Sequence, residues 1–255
     1  MADIETIIIT GGAGHLGTAV ARCWAKPGAH VVLIDRDTQR LEKARADLAN
    51  SAATITAIHA DASQDGALSA GFAKLPPSLW SAPPSLIVAH ALPGKDEKGN
   101  PPRIGALRPG PFREVVDTNL HSAVFAIDAM LPFMRQAGGG RIVLVSSTAG
   151  LSASPTAALS YSLSKAGLAA LPRLLAPELA TFNVLINAVA PGKFDHPDWP
   201  DDPEQVMRYK QGVPLGRLAT AEEVAALIVF LASAANGYIT GKTIVQDGGR
   251  LAGAG

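Results

Sequence analysis

Short runs of Ile, Val and Leu alternate along this chain with segments whose apolar residues recur at helical spacing, and no other feature constrains the fold as tightly. The runs are IIIT (7–10), HVVLID (30–35), TITAIHA (54–60), SLIVAH (85–90), RIVLVSS (141–147), VLINAVA (184–190) and TIVQD (243–247). Stretches nearly continuous in β-branched residues suit strands covered on both faces, and strand–helix alternation is the signature of βαβ units. The expectation is an α/β fold: a doubly wound, seven-stranded parallel sheet with helices on both faces. With 255 residues, 47% apolar and 17% charged, one such domain over 1–255 is expected to bury its own core.

The helical segments include AVARCWAK (19–26), RLEKARADLA (40–49), 112–134 and Pro155 to Ala180. Pro172 and Pro177 fall inside the last of these, where a proline costs ~3 kcal/mol and bends the axis. Asn183 stands where a left-handed residue would end it. The Pro- and Gly-rich stretches 75–84 and 93–111 read as surface connections, the second following a strand end where it would border a site. Twenty-two basic residues balance 22 acidic ones without a basic stripe, so nucleic acid is not an expected partner. No apolar run approaches the roughly 20 residues that span a bilayer, and no leader segment is recognisable, so no membrane partner and a cytoplasmic location are expected. The single cysteine, Cys23, lies among apolar residues and reads as a buried structural thiol.

Between the first run and the first helical segment stands TGGAGHLG (10–17). A glycine turn in that context lets backbone N–H groups approach a pyrophosphate at the positive end of a helix, although a tight strand-to-helix connection would use the same glycines. Asp35 favours the first reading. It ends the second strand about 20 residues on, where a carboxylate accepts the ribose hydroxyls of adenosine in a Rossmann-like site. It would also repel a 2′-phosphate, so NAD is expected over NADP; Arg36 and Arg40 nearby leave NADP possible. Asp61, after the third strand, reads either as a contact to the adenine edge or as a helix N-terminal acid.

Tyr161 and Lys165 in YSLSK are four residues apart and share a helix face. A neighbouring ammonium favours ionisation of a phenol and moves it toward a value useful for proton transfer. Ser147 ends a strand fourteen residues earlier, Asn119 lies in VVDTNLHSA, and NAVAPG (187–192), PLGR (214–217) and YITGKTIVQDGG (238–249) follow in order. In these motifs the chain resembles the short-chain dehydrogenase/reductase family along essentially its whole length. The resemblance implies a catalytic set of Asn119, Ser147, Tyr161 and Lys165. Tyr161 would be the acid/base and Ser147 the hydrogen-bond partner of the substrate oxygen. Lys165 would tune the tyrosine and bind the nicotinamide ribose, and Asn119 would hold a water of the proton relay. The cofactor-binding residues carried over with the motifs are Gly11, Gly14, His15, Leu16, Gly17, Asp35, Arg36, Asp61, Ala62, Ala89, His90, Tyr161, Lys165, Pro191 and Gly192. No catalytic metal is expected.

Three positions depart from the family's compact pattern. His15 replaces the second glycine of TGxxxGxG, and the spacing TGxxGxxG is that of the extended subgroup, whereas only ninety residues follow Lys165 and the PG and DGG segments fit the compact form. His15 then packs or caps at the helix start, or contacts the cofactor. AHAL (89–92) stands where NNAG is usual, and His196 replaces the threonine four residues after PG; both His90 and His196 read as structural histidines or as substrate contacts.

The implied function is NAD(P)-dependent hydride transfer between a secondary alcohol and a ketone. The substrate lid is expected over 193–213, where charges mixed with Trp199, Met207 and Tyr209 suit a small polar alcohol or sugar. Two rival readings are an NADPH-preferring carbonyl reductase and a catalytically silent, NAD-binding regulatory protein. The resemblance also implies a homotetramer built through the two long helices and the last strand.

Overall fold

The computed structural model describes residues 5–96, 99–196 and 202–253. Seven strands form one parallel sheet: β1 (Glu5–Thr10), β2 (Ala29–Asp35), β3 (Thr54–His59), β4 (Ser85–Val88), β5 (Gly140–Val145), β6 (Val184–Pro191) and β7 (Lys242–Gln246). Their spatial order is β3-β2-β1-β4-β5-β6-β7, with every neighbouring pair parallel. The order reverses between β1 and β4, and the connections diverge there to opposite faces. That divergence opens a crevice at the carboxyl ends of the strands.

The isoleucine run of β1 shows why the apolar patterning is continuous. Ile7 and Ile9 pack into the layer built by α1 (His15–Trp24), α2 (Thr38–Asp47) and α8 (Ala221–Ala232), while Ile8 packs into the opposite layer with residues of α3 (Ala67–Phe72), α5 (Ser122–Gln136) and α6 (Leu159–Leu179). All three are fully buried, so each face of the strand demands an apolar residue. Of the remaining helices, α4 (Pro109–Val116) packs against α6, and α7 (Pro203–Gln211) reaches the carboxyl-end crevice through Tyr209.

Several local expectations change. The 112–134 segment is one helical path with a defect: between α4 and α5, Asp117–His121 forms a π turn with Asn119 at its centre. Such one-residue-wide bulges recur at functional sites because they shift side chains out of helical register. Helix α6 starts at Leu159 rather than Pro155 and runs uninterrupted through Pro172 and Pro177, and Asn183 beyond it adopts φ 57°, as its position suggests. The stretch 75–84 is not a surface connection. Leu75, Leu79 and Trp80 are buried, and the Trp80 ring packs 4.6 Å from that of Phe133, because the second layer lacks a long helix beneath β1 and this segment fills the gap. Cys23 is exposed rather than buried: the buried stripe of α1 runs through Gly17, Val20, Ala21 and Trp24, and Cys23 lies beyond its edge.

Candidate active site

The carboxyl-end crevice holds a cavity of about 570 Å³. All fifteen residues carried over as cofactor contacts line it, from Gly11 at the turn to Gly192 at the end of β6. At one end lie Asp35, Arg36, Asp61 and Ala62; at the other lie Ser147, Tyr161 and Lys165.

The glycine turn is built for close approach. Gly11 adopts φ 72°, and a Cβ there would come within 2.6 Å of the His90 backbone; a Cβ at Gly17 would collide with the Gly11 carbonyl oxygen. Helix α1 starts directly after this turn with no side-chain cap, so the N–H groups of His15, Leu16 and Gly17 face no intrahelical acceptor. A turn with no room for a Cβ at Gly11 or Gly17, with uncapped donors at the positive end of a helix, fits a dinucleotide diphosphate. The Asp35 carboxylate accepts the Ala13 N–H at 3.3 Å and the Asp37 N–H at 3.1 Å, which fixes it at the cavity edge. Asp61 is not a helix N-terminal acid, since α3 begins at Ala67. Its carboxylate accepts both the Ser63 N–H (3.0 Å) and the Ser63 hydroxyl (2.7 Å). Burial opposes its charge, but these bonds and the Arg36 guanidinium hold it below the usual carboxylate range.

His15 packs where the family's glycine is usual. Its ring stacks on Phe194 (centroids 6.4 Å apart) and meets His196 at 5.2 Å, tying the glycine turn to the segment after β6. His15 Nε2 is buried with no hydrogen-bond partner among the described residues. The AHAL segment is also held. His90 Nε2 bonds Ser122 Oγ at 2.5 Å, and Ser122 donates to the Thr118 carbonyl. Burial, with the Lys165 charge adding to it, lowers His90 to about 4, so the imidazole is neutral. The Leu92 N–H donates to Asn119 Oδ1 at 2.6 Å, and Asn119 Nδ2 donates to Leu92 O and to Ser164 Oγ, each at 3.0 Å. The Asn119 amide is therefore fully committed and does not line the cavity. Its side chain fastens the AHAL segment to α6 instead of reaching the reacting atoms.

Tyr161 and Lys165 share the cavity face of α6. Only a glycine at position 150 allows this approach, because a Cβ there would lie 2.5 Å from the Lys165 carbonyl carbon and the turn after β5 could not rest on the helix. Lys165, 1% exposed, donates from Nζ to the Val145 carbonyl at 2.7 Å, and the Ser146 hydroxyl donates to the Lys165 carbonyl at the same distance. Burial pushes the ammonium down to about 7. Ser147 accepts the Ala149 N–H at 3.2 Å and lines the same cavity wall as Tyr161. Burial raises the Tyr161 phenol, its interaction with Ser147 opposes that rise, and the Lys165 Nζ sits 5.7 Å from the ring centroid with its charge directed at Val145. Burial therefore favours the protonated phenol, the form that can give a proton to a carbonyl oxygen.

Sequence reasoning missed Ser122 and Thr118, which hold His90, and Phe194, which packs on His15. Ser122 falls three residues past Asn119, on the same side of the helix; Phe194 carries no comparable signal. Trp199, assigned to the lid, lies outside the described residues.

A family model described as "Enoyl-(Acyl carrier protein) reductase" matches residues 11–250. The chain belongs to the short-chain dehydrogenase/reductase family. It is 32% identical to "Dehydrogenase/reductase SDR family member 4" of Bos taurus, covering 98% of this chain and 88% of that protein. It is likewise 32% identical to "2-dehydro-3-deoxy-L-rhamnonate dehydrogenase (NAD(+))" of Sphingomonas sp. strain SKA58, covering 95% and 94%. Among solved structures, a 3-oxoacyl-[acyl-carrier protein] reductase with bound NAD from Brucella melitensis superposes with a TM-score of 0.86 at 27% identity, covering 96% of this chain and 90% of that one. As a short-chain dehydrogenase/reductase the chain is an NAD(P)-dependent oxidoreductase acting on CH–OH groups. No helix among its described residues is long and apolar enough to cross a membrane.

Proposed function

We propose that this oxidoreductase interconverts the secondary alcohol of a small, multiply oxygenated substrate, a polyol or sugar, and the corresponding ketone, with NAD preferred over NADP. The observation that carries the reading is the meeting of Ser147, Tyr161 and Lys165 on one wall of the cavity whose other end is the glycine turn. When bound, the nicotinamide supplies the hydride acceptor or donor. Tyr161 gives a proton to the carbonyl oxygen in reduction and takes it back in oxidation, Ser147 steadies that oxygen, and Lys165 would help hold the nicotinamide ribose. Asn119 is a positioning residue that keeps the AHAL segment and α6 in register.

Support for the substrate class comes from the chemistry beyond Tyr161, where Ser154, Thr156 and Tyr209 hydroxyls line the cavity together with Lys95 and His196. A relative named as acting with NAD(+) on a sugar-derived acid agrees with it. The NAD preference rests on the placement of Asp35; Arg36 and Arg40 line the same end and favour the NADPH-preferring carbonyl reductase as the second reading. A silent binding protein would have no use for Ser147, Tyr161 and Lys165 together on one wall of the cavity. Exposed Phe125 on α5 and Leu163 and Leu174 on α6 (42%, 51% and 59% exposed) support a homotetramer through those helices. The single cysteine excludes an internal disulfide and is compatible with the cytoplasm.

Titrating the protein with NADH and NADPH, then following reduced nicotinamide with a panel of polyols and plain alcohols, tests the proposal. Tighter NADH binding and turnover of polyols are expected. Tighter NADPH binding would overturn the coenzyme assignment, and turnover confined to plain alcohols would overturn the substrate class.

A further inference from the structure

Tyr209, in α7, reaches across to the end of β6. Its hydroxyl oxygen accepts the Lys193 backbone N–H at 2.8 Å, and a Cβ at Gly192 would come within 2.9 Å of the same oxygen, so the phenol tip rests on the turn that closes the cavity. Two cations lie against the ring, the Lys193 Nζ at 5.8 Å from its centroid and Arg250 nearer. The Arg250 guanidinium lies 4.2 Å from the ring centroid, and Nη1 donates to the Tyr209 carbonyl at 3.1 Å. Arg250 passes over Gly212, where a Cβ would collide with Nη1. The chain around Arg250 is itself set by Asp247, whose carboxylate accepts the Gly249 N–H (2.9 Å) and the Leu251 N–H (2.7 Å).

A guanidinium stacked on an aromatic face and also hydrogen-bonded to that residue's carbonyl fixes both ring position and helix end. The result is a hydroxyl with one oxygen lone pair used and its proton without an acceptor among the described residues, held at the cavity wall near Gly192. Neither the glycine turn nor the Ser147–Tyr161 pair requires this bracket, which makes an additional ligand contact its natural purpose.

We infer that Tyr209 is a specificity-determining residue whose O–H donates to a second oxygen of the substrate, beside the reacting carbinol, and that Arg250 is the positioning residue that holds it there. The inference rests on the alcohol-oxidising reading above and narrows it to α-oxygenated alcohols such as vicinal diols, hydroxyketones and hydroxy acids. Sites that hydrogen-bond a substrate oxygen discriminate against analogues lacking it, because a donor is then left unpaired.

The test compares 2,3-butanediol with 2-butanol, using NAD, in the wild type, Tyr209→Phe and Arg250→Lys. The wild type is expected to favour the diol in kcat/KM by about tenfold or more, and Tyr209→Phe, which keeps the ring and its stack, to reduce that ratio about tenfold. Arg250→Lys retains charge but loses the planar stack; it is expected to raise KM for the diol more than it lowers kcat. Equal kcat/KM for the two alcohols in the wild type, or an unchanged ratio in Tyr209→Phe, overturns the inference. Weakened NADH binding by Tyr209→Phe with the ratio intact would assign the hydroxyl to the nicotinamide and also overturn it. Turnover of neither alcohol overturns the alcohol reading itself, whereas turnover of 2-butanol without a diol advantage overturns only the role of Tyr209.

Discussion

Replacing Lys165 with Met changes the stability of this fold in a way that depends on pH. The side chain is buried, and its ammonium is pushed from the ordinary 10.5 down to about 7. Between those values the unfolded chain binds a proton that the folded chain does not, so stability rises with pH through this window; below about 7 both states are charged and the penalty is constant. At 1.36 kcal/mol for each tenfold difference, the wild type carries about 4 kcal/mol of penalty at pH 7 and about 1 kcal/mol at pH 9.5. Met carries none. The stability difference between variant and wild type should therefore shrink by about 3 kcal/mol from pH 7 to pH 9.5. The part of the bond to the Val145 carbonyl that a neutral amine also makes cancels in the comparison, and its dependence on charge is already contained in the shifted value. Urea unfolding at the two pH values, at fixed protein concentration, measures the effect. A difference that does not change with pH would refute the claim that Lys165 is held in a nearly dry site.

His90 works in the same direction at lower pH. Burial lowers it from 6.5 to about 4, so stability is lost as pH falls through that window, and urea unfolding at pH 7 and pH 4 should show the wild type losing about 3 kcal/mol more than His90→Asn. Gly17→Ala places a methyl group against the Gly11 carbonyl oxygen; it is expected to weaken NADH binding at least about tenfold by calorimetry, because the turn can relieve the clash only by opening the cradle.

The sheet was legible in the sequence because every strand but the edges is buried on both faces, which writes an unbroken apolar run at each position. The glycine turn was legible for a related reason: Gly11 and Gly17 are places where backbone meets backbone, and only glycine satisfies them. What could not be read is what depends on three-dimensional neighbours. The apolar residues of 75–84 fill a gap between layers that no local pattern announces, and Cys23 falls outside a stripe whose edge is set by Trp24 packing beneath β1. Lys165 looks from sequence like a charge aimed at Tyr161, one helical turn away. Its ammonium donates to the Val145 carbonyl at 2.7 Å, and burial raises the phenol. The clamp on Tyr209 joins residues 41 positions apart and leaves no periodic trace.

In the proposed reaction the Tyr161 hydroxyl moves the proton that accompanies hydride transfer. Tyr161→Phe deletes that oxygen while keeping the ring, so it should bind NADH within about twofold of the wild type and lose at least about a hundredfold in kcat with the alcohol the wild type turns over best. A variant that binds NADH normally and retains a tenth or more of wild-type kcat would contradict the account.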